Sequence, residues 1–168
     1  GGMGSKQNQE AFFRLINEIL PLIKDQVQGI KLLVVGSSPP ESIKEIHNGR
    51  DIIITGFVED VRAILSTASI MILPLSLGGG FRSRVVDIMA MGIPVIGTHN
   101  ALDSVELSHK VNGFIADSNE EIANYSTELL MNEELRNKIS QNCLEFVSEK
   151  YSLENTYGKL SKFYMDMD

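Results

Sequence analysis

The chain has 168 residues, 43% of them hydrophobic and 22% charged, with a formal net charge of -7. That length buries one sizeable core, and this composition excludes a disordered chain. The negative balance, spread without a basic stripe, excludes a nucleic-acid backbone as partner, while a lone cysteine, Cys143, forms neither an internal disulfide nor a zinc site and fits a reducing cytosol.

The N-terminus, "GGMGSKQNQEAF", is a glycine-rich loop leading into a helix. In an alternating α/β domain such a loop follows a strand, so the chain reads as starting just after one. The same glycine and serine pairs are also what a tag remnant leaves. Next comes "AFFRLINEILPLIK", with helical spacing, and then a series of short apolar runs: "KLLVV" at 31–35, "DIIITGF" at 51–57, "IMILPL" at 70–75, "IPVIGT" at 93–98 and "GFIAD" at 113–117. Each is the length and composition of a buried strand. "GSSPPES" reads as a proline-restricted turn, since it has neither ending of a phosphate loop. "EDVRAILSTA" places Val61, Ile64, Leu65 and Ala68 on one helical face. Strand and helix alternate, which predicts a parallel sheet flanked by helices, because parallel neighbours need crossover connections. From about residue 118 three helices are expected to end the chain, capped by Ser118 with Glu121, by Asn132 and by Ser152. No apolar run approaches the ~18 residues of a spanning helix, and there is no secretory pattern at the N-terminus.

The stretch "PLSLGGGFRSRVVDIMAMGIPVIGT", residues 74–98, carries the chemistry. Val85 to Met91 at helical spacing are apolar in nearly every direction, so the helix is expected to be buried and Asp87 to need a partner. Arg84, three residues back, offers a local ion pair; a ligand's hydroxyl pair is the alternative. Arg82 and Arg84 stand in or before the first turn, where the macrodipole favours anions, so a bound anion resolves the conflict. Gly78, Gly79 and Gly80 let the backbone approach a ligand at a strand's carboxyl end. Together these residues suit an anionic, hydroxyl-bearing ligand such as a nucleotide or phosphosugar.

The same stretch resembles the donor-binding signature of GT-B glycosyltransferases of family 4, in the branch with Gly-x-Gly-x-Arg-x-Lys ahead of Glu-Ala-Met-Ala-x-Gly-x-Pro-Val. "GGMGSKQNQEAF" looks like that branch's first loop and helix, "KLLVVGSSP" its next strand, "ITGFVEDVRAIL" its nucleobase-side strand and turn, and "VNGFIAD" its last strand. The likeness covers residues 1–168 as one nucleotide-sugar-binding, Rossmann-like domain: the C-terminal half of a GT-B fold, with the family's central first strand missing. It implies that Asp87 holds the ribose, that Gly56, Phe57 and Val58 flank the base, and that Arg82 and Arg84 face the diphosphate. Gly2 and Met3 would line the phosphate side, and Thr98 would end a strand beside the site. The implied partners are a nucleotide-sugar donor and an N-terminal acceptor-binding domain of a longer chain, with no metal or other cofactor.

Departures from the signature are specific. Gly79 stands where many members carry a first glutamate, Asp87 is shorter than the second, and Arg84 replaces a lysine, exchanging a point charge for a planar fork. The resemblance implies a retaining glycosyltransferase of surface polysaccharide or glycolipid synthesis, in the cytoplasm or at the inner membrane face. A nucleotide-sugar epimerase half and a non-catalytic sugar-nucleotide-binding protein are the alternatives, the latter suggested by Gly79. His47, His99 and His109 have no metal-ligand spacing and are expected at the surface, with His99 placed at a strand end beside the site; Glu106 either lies near the donor loop or caps the next segment.

Overall fold

The computed structural model describes residues 2–77 and 83–152. It begins with a helical run in three pieces: α1 (Lys6–Arg14), a π-turn (Leu15–Ile19) and α2 (Leu20–Lys24). The Ser5 side chain caps α1 by accepting from the Asn8 N–H at 3.3 Å. Ala11, Leu15, Ile19 and Ile23, four residues apart, make one buried stripe. The π-turn has a visible cause in Pro21. Proline has no N–H and its ring crowds the carbonyl four residues back, so the backbone widens just before it, and Leu20 N–H reaches the Leu15 carbonyl instead.

Five parallel strands follow: β1 (Leu32–Val34), β2 (Ile52–Ile54), β3 (Met71–Leu73), β4 (Val95–Gly97) and β5 (Phe114–Ile115). Each falls inside one of the apolar runs read from sequence. The crossovers carry α3 (Glu41–Lys44), α4 (Val61–Leu65), α5 (Ser83–Met89) and α6 (His99–Leu102), the last continued by a 3-10 turn (Asp103–Val105). The α3 turn stands where only a proline-restricted loop was expected.

Pairing divides the strands into two sheets, β1–β2 and β3–β4–β5. In the first, Leu32 is level with Ile52; in the second, Met71 is level with Val95 and Ile96 with Phe114. β4, flanked on both sides, is fully buried, whereas β1, β2 and β3 are half-buried along their length. Among the described residues, a break with no ladder across it separates the two sheets. The helical run spans it: Ala11, Leu15, Ile19 and Ile23 belong to the main core with β4, while Phe12 joins Met3 and Ile43 in a second, smaller core with Val34 and Ile54 against it. The Met3 N–H donates to the Ser37 carbonyl beyond β1 at 2.8 Å, and Lys24 pairs with Asp51 just ahead of β2 at 2.5 Å.

Two long helices close the described part of the domain, α7 (Asn119–Met131) and α8 (Glu133–Tyr151). Ser118 and Glu121 form the expected reciprocal cap on α7, and Asn132 caps α8 through the Leu135 N–H at 2.9 Å. The helix expected after Ser152 lies outside the described residues. α5 enters β4 through Gly92, whose φ is +70° and where a Cβ would stand 2.8 Å from Ser140 Oγ. Among the described residues no helix is long and apolar enough to cross a membrane.

Candidate functional site

Three strand ends meet at one cleft. Leaving β3, β4 and β5, the chain supplies Leu75 and Ser76, Thr98 to Asn100, and Asp117; with Arg14 of α1 these residues line an open cleft of about 470 Å³. Ligands of open α/β sheets bind at this end of the strands. Arg14 crosses from the helical run to the strand ends, its guanidinium donating to Asn119 Oδ1 at 2.7 Å, the Pro74 carbonyl at 3.2 Å and the Asp117 carbonyl at 2.6 Å. Asn119 in turn donates to Glu18, so its amide joins residues four apart on the helical run. Thr98 is 3% exposed; its hydroxyl donates to the Leu75 carbonyl at 2.5 Å and accepts from Ala101 N–H at 3.2 Å, capping α6. Asn100 donates to the Ser76 carbonyl at 2.8 Å, and Asp117 accepts from the His99 N–H at 2.9 Å.

The residues expected at a ligand divide into groups. Gly78, Gly79, Gly80 and Arg82 lie outside the described residues. Arg84 and Asp87 are both exposed. This corrects the expectation of a buried α5: the helix turns Val85, Ile88 and Met89 inward, towards β4 and α8, while Arg84, Asp87 and Ala90, three residues apart, form an open stripe. No ion pair joins Arg84 to Asp87 among the described residues. An exposed carboxylate needs no structural partner and remains able to accept from a ligand.

Gly56 follows β2 with φ +69° and nothing within 4 Å of where a Cβ would be. Phe57 beside it is 78% exposed and Val58 half-buried. A large ring held in water next to an open glycine turn is available for stacking. Gly2 is exposed, its carbonyl taken by Asn8 Nδ2 at 2.7 Å. The Met3 side chain, only 6% exposed, packs against Phe12 and Ile43, so this loop offers its backbone outward. Thr98, expected beside the site, has its hydroxyl already engaged both ways.

Arg14, Asn100 and Asp117 were assigned no role from sequence. A signal for Arg14 did exist: it is a cation between Ala11 and Leu15 on a run whose neighbouring positions are apolar. His47 and His109 are exposed, and each accepts a strand amide on Nδ1, from Ile54 and Ile115 respectively, both at 3.0 Å. His99 is exposed at the cleft. Glu106 pairs with Lys150 on α8 at 2.5 Å, and that hydrogen-bonded ammonium holds its carboxyl below the usual range. Among the described residues no group of three or more His, Cys, Asp or Glu side chains is placed to hold a metal ion.

The family model for glycosyl transferases group 1 matches residues 1–132. The N-acetyl-alpha-D-glucosaminyl L-malate synthase of Bacillus anthracis is 24% identical over 165 residues, 94% of this chain and 41% of that protein. Among solved structures, Anabaena HepE in complex with UDP superposes with a TM-score of 0.77 at 15% identity, covering 99% of this chain and 47% of that one. The C-terminal domain of a glycosyl transferase group 1 family protein (LpcC) from Francisella tularensis gives a TM-score of 0.70 at 22% identity, over 88% of this chain and 80% of that one. These likenesses show the same Rossmann-like half of a GT-B fold, and the chain spans under half the length of the first two proteins.

Proposed function

Because the chain belongs to the glycosyl transferases group 1 family, we propose that it is the nucleotide-sugar donor-binding half of a retaining glycosyltransferase that builds a surface polysaccharide or glycolipid, working in the cytoplasm or at the inner membrane face. The observation that carries this reading is the cleft at the carboxyl ends of β3, β4 and β5, with the exposed Arg84 and Asp87 on the crossover between two of those strands. The UDP bound by HepE, which shares this fold, supports a nucleotide donor. Asp87, an acceptor only, suits the ribose hydroxyls; Arg82 and Arg84 suit the diphosphate, whose growing negative charge they stabilise as the nucleotide leaves. Phe57 stacks on the base beside Gly56. The acceptor is held by an N-terminal domain of a longer chain.

A thermal-shift titration tests this. At a hundred times its dissociation constant, a nucleoside diphosphate that binds only the folded chain stabilises it by about 2.7 kcal/mol, a rise of roughly 5–10 °C for a domain of this size. UDP, GDP and ADP are each compared with inorganic pyrophosphate; no rise with any nucleotide ends the reading. Sugar transfer by this chain alone would refute its being half an enzyme. A folded parent protein that binds donor without turning it over selects the second reading, a non-catalytic sugar-nucleotide binder, which Gly79 in place of the first acid favours.

A further inference from the structure

We infer that Arg14, Thr98 and Asn100 are positioning residues that together hold the backbone of Pro74–Ser76 and so fix the course of the chain from the end of β3 to Leu77. Three consecutive carbonyls beyond the end of β3 each accept from a different side chain: Pro74 from Arg14 of α1 at 3.2 Å, Leu75 from Thr98, the cap of α6, at 2.5 Å, and Ser76 from Asn100 in the first turn of α6 at 2.8 Å. Pro74 and Leu75 are buried, so their carbonyls need partners once the β-ladder ends. Ser76 is exposed and water would serve it equally well. The Asn100 bond therefore does more than satisfy an acceptor. Donors from α1 and from the start of α6 hold this backbone between them, and Arg14 is itself held in place by Asn119 and the Asp117 carbonyl.

The link to ligand rests on the donor-binding reading, in which the cleft lined by Leu75 and Ser76 takes the donor; holding that wall in place before binding removes a cost that the ligand otherwise meets. The test uses the whole chain and two readouts, chymotryptic cleavage after the exposed Leu77 and the affinity for UDP. Asn100→Ala removes one neutral donor from an exposed position. The expected result is an unchanged unfolding midpoint, cleavage faster by about threefold to tenfold, since cleavage follows the population of the open form, and UDP affinity lower by a similar factor. Thr98→Val is expected to act in the same direction and Thr98→Ser, which keeps the hydroxyl, to restore both readouts. If Thr98→Val unfolds the chain, Asn100→Ala still decides.

A folded Asn100→Ala chain cut at the wild-type rate overturns the clamp, and faster cleavage with undiminished UDP affinity overturns its link to binding. A wild-type chain that binds no UDP, GDP or ADP ends the donor reading instead, and the cleavage comparison then still judges the clamp.

Discussion

Asp87 lies on the outer face of α5, with Val85, Ile88 and Met89 beneath it, so its substitution separates ligand contact from folding. Asp87→Ala is expected to move stability by less than about 0.5 kcal/mol, as exposed sites do, while weakening both uridine and UDP by ~1.5–3 kcal/mol through the lost hydrogen bonds to a charged group. Calorimetric titration of the folded variant checks this; unchanged affinity for both ligands removes Asp87 from the site. The exposure of Asp87 was not legible in sequence because Val85 to Met91 look apolar on every side. α5 ends at Met89, however, and in two turns the small Ala90 does not close the stripe that Arg84 and Asp87 open. Cys143 is the opposite case, a titratable residue shut away from solvent. It is 0% exposed, it donates to the Asn112 carbonyl at 3.1 Å, and burial pushes its thiol up from 9.0 to about 12. The unfolded chain gives up this proton above pH 9 and the folded chain keeps it, so the thiol's contribution to stability is complete below pH 9 and declines as pH rises towards 12. Denaturant midpoints at pH 8, 9 and 10 should fall more steeply for the wild type than for Cys143→Ala.

At the scale of elements, five strands were readable because β-branched runs bounded by turn residues admit few other states, and the Ser118 box was readable because both halves of a reciprocal cap appear in the sequence. The π-turn, α3 and α6 were not. The four residues of α3 or of α6 carry too little periodicity to register, and the π-turn follows from how the chain accommodates Pro21. The turn into β4 offers a sharp check on packing. Gly92→Ala places a side chain in the left-handed region and against Ser140 of α8, and is expected to cost about 1–2 kcal/mol in chemical denaturation. Gly92→Ala with Ser140→Ala, which removes the clashing hydroxyl and suits the interior of α8, relieves the clash but not the backbone strain, so only partial recovery is expected.

For the whole molecule, alternation of strand and helix predicts the fold class and the resemblance to a known family predicts the same Rossmann-like half, which here divides into two sheets. Neither indicated which element would bridge the two sheets, since that depends on Phe12 and Leu15 turning into different cores from one helix.

The unequal cores also set how the molecule breathes. Beside β4 lies a continuous packing of buried side chains, whereas the β1–β2 side rests largely on Met3, Phe12 and Ile43, with Leu32 of β1 and the helical run packing against the main core. Cooperative units open at free energies set by the contacts they lose, so this side should open without the remainder. In deuterium exchange, the amide of Ile53 in β2 should lose protection by such a partial opening, while that of Ile96 in β4 waits for global unfolding. Moderate denaturant would then erase the difference between the two amides only as the global transition is approached.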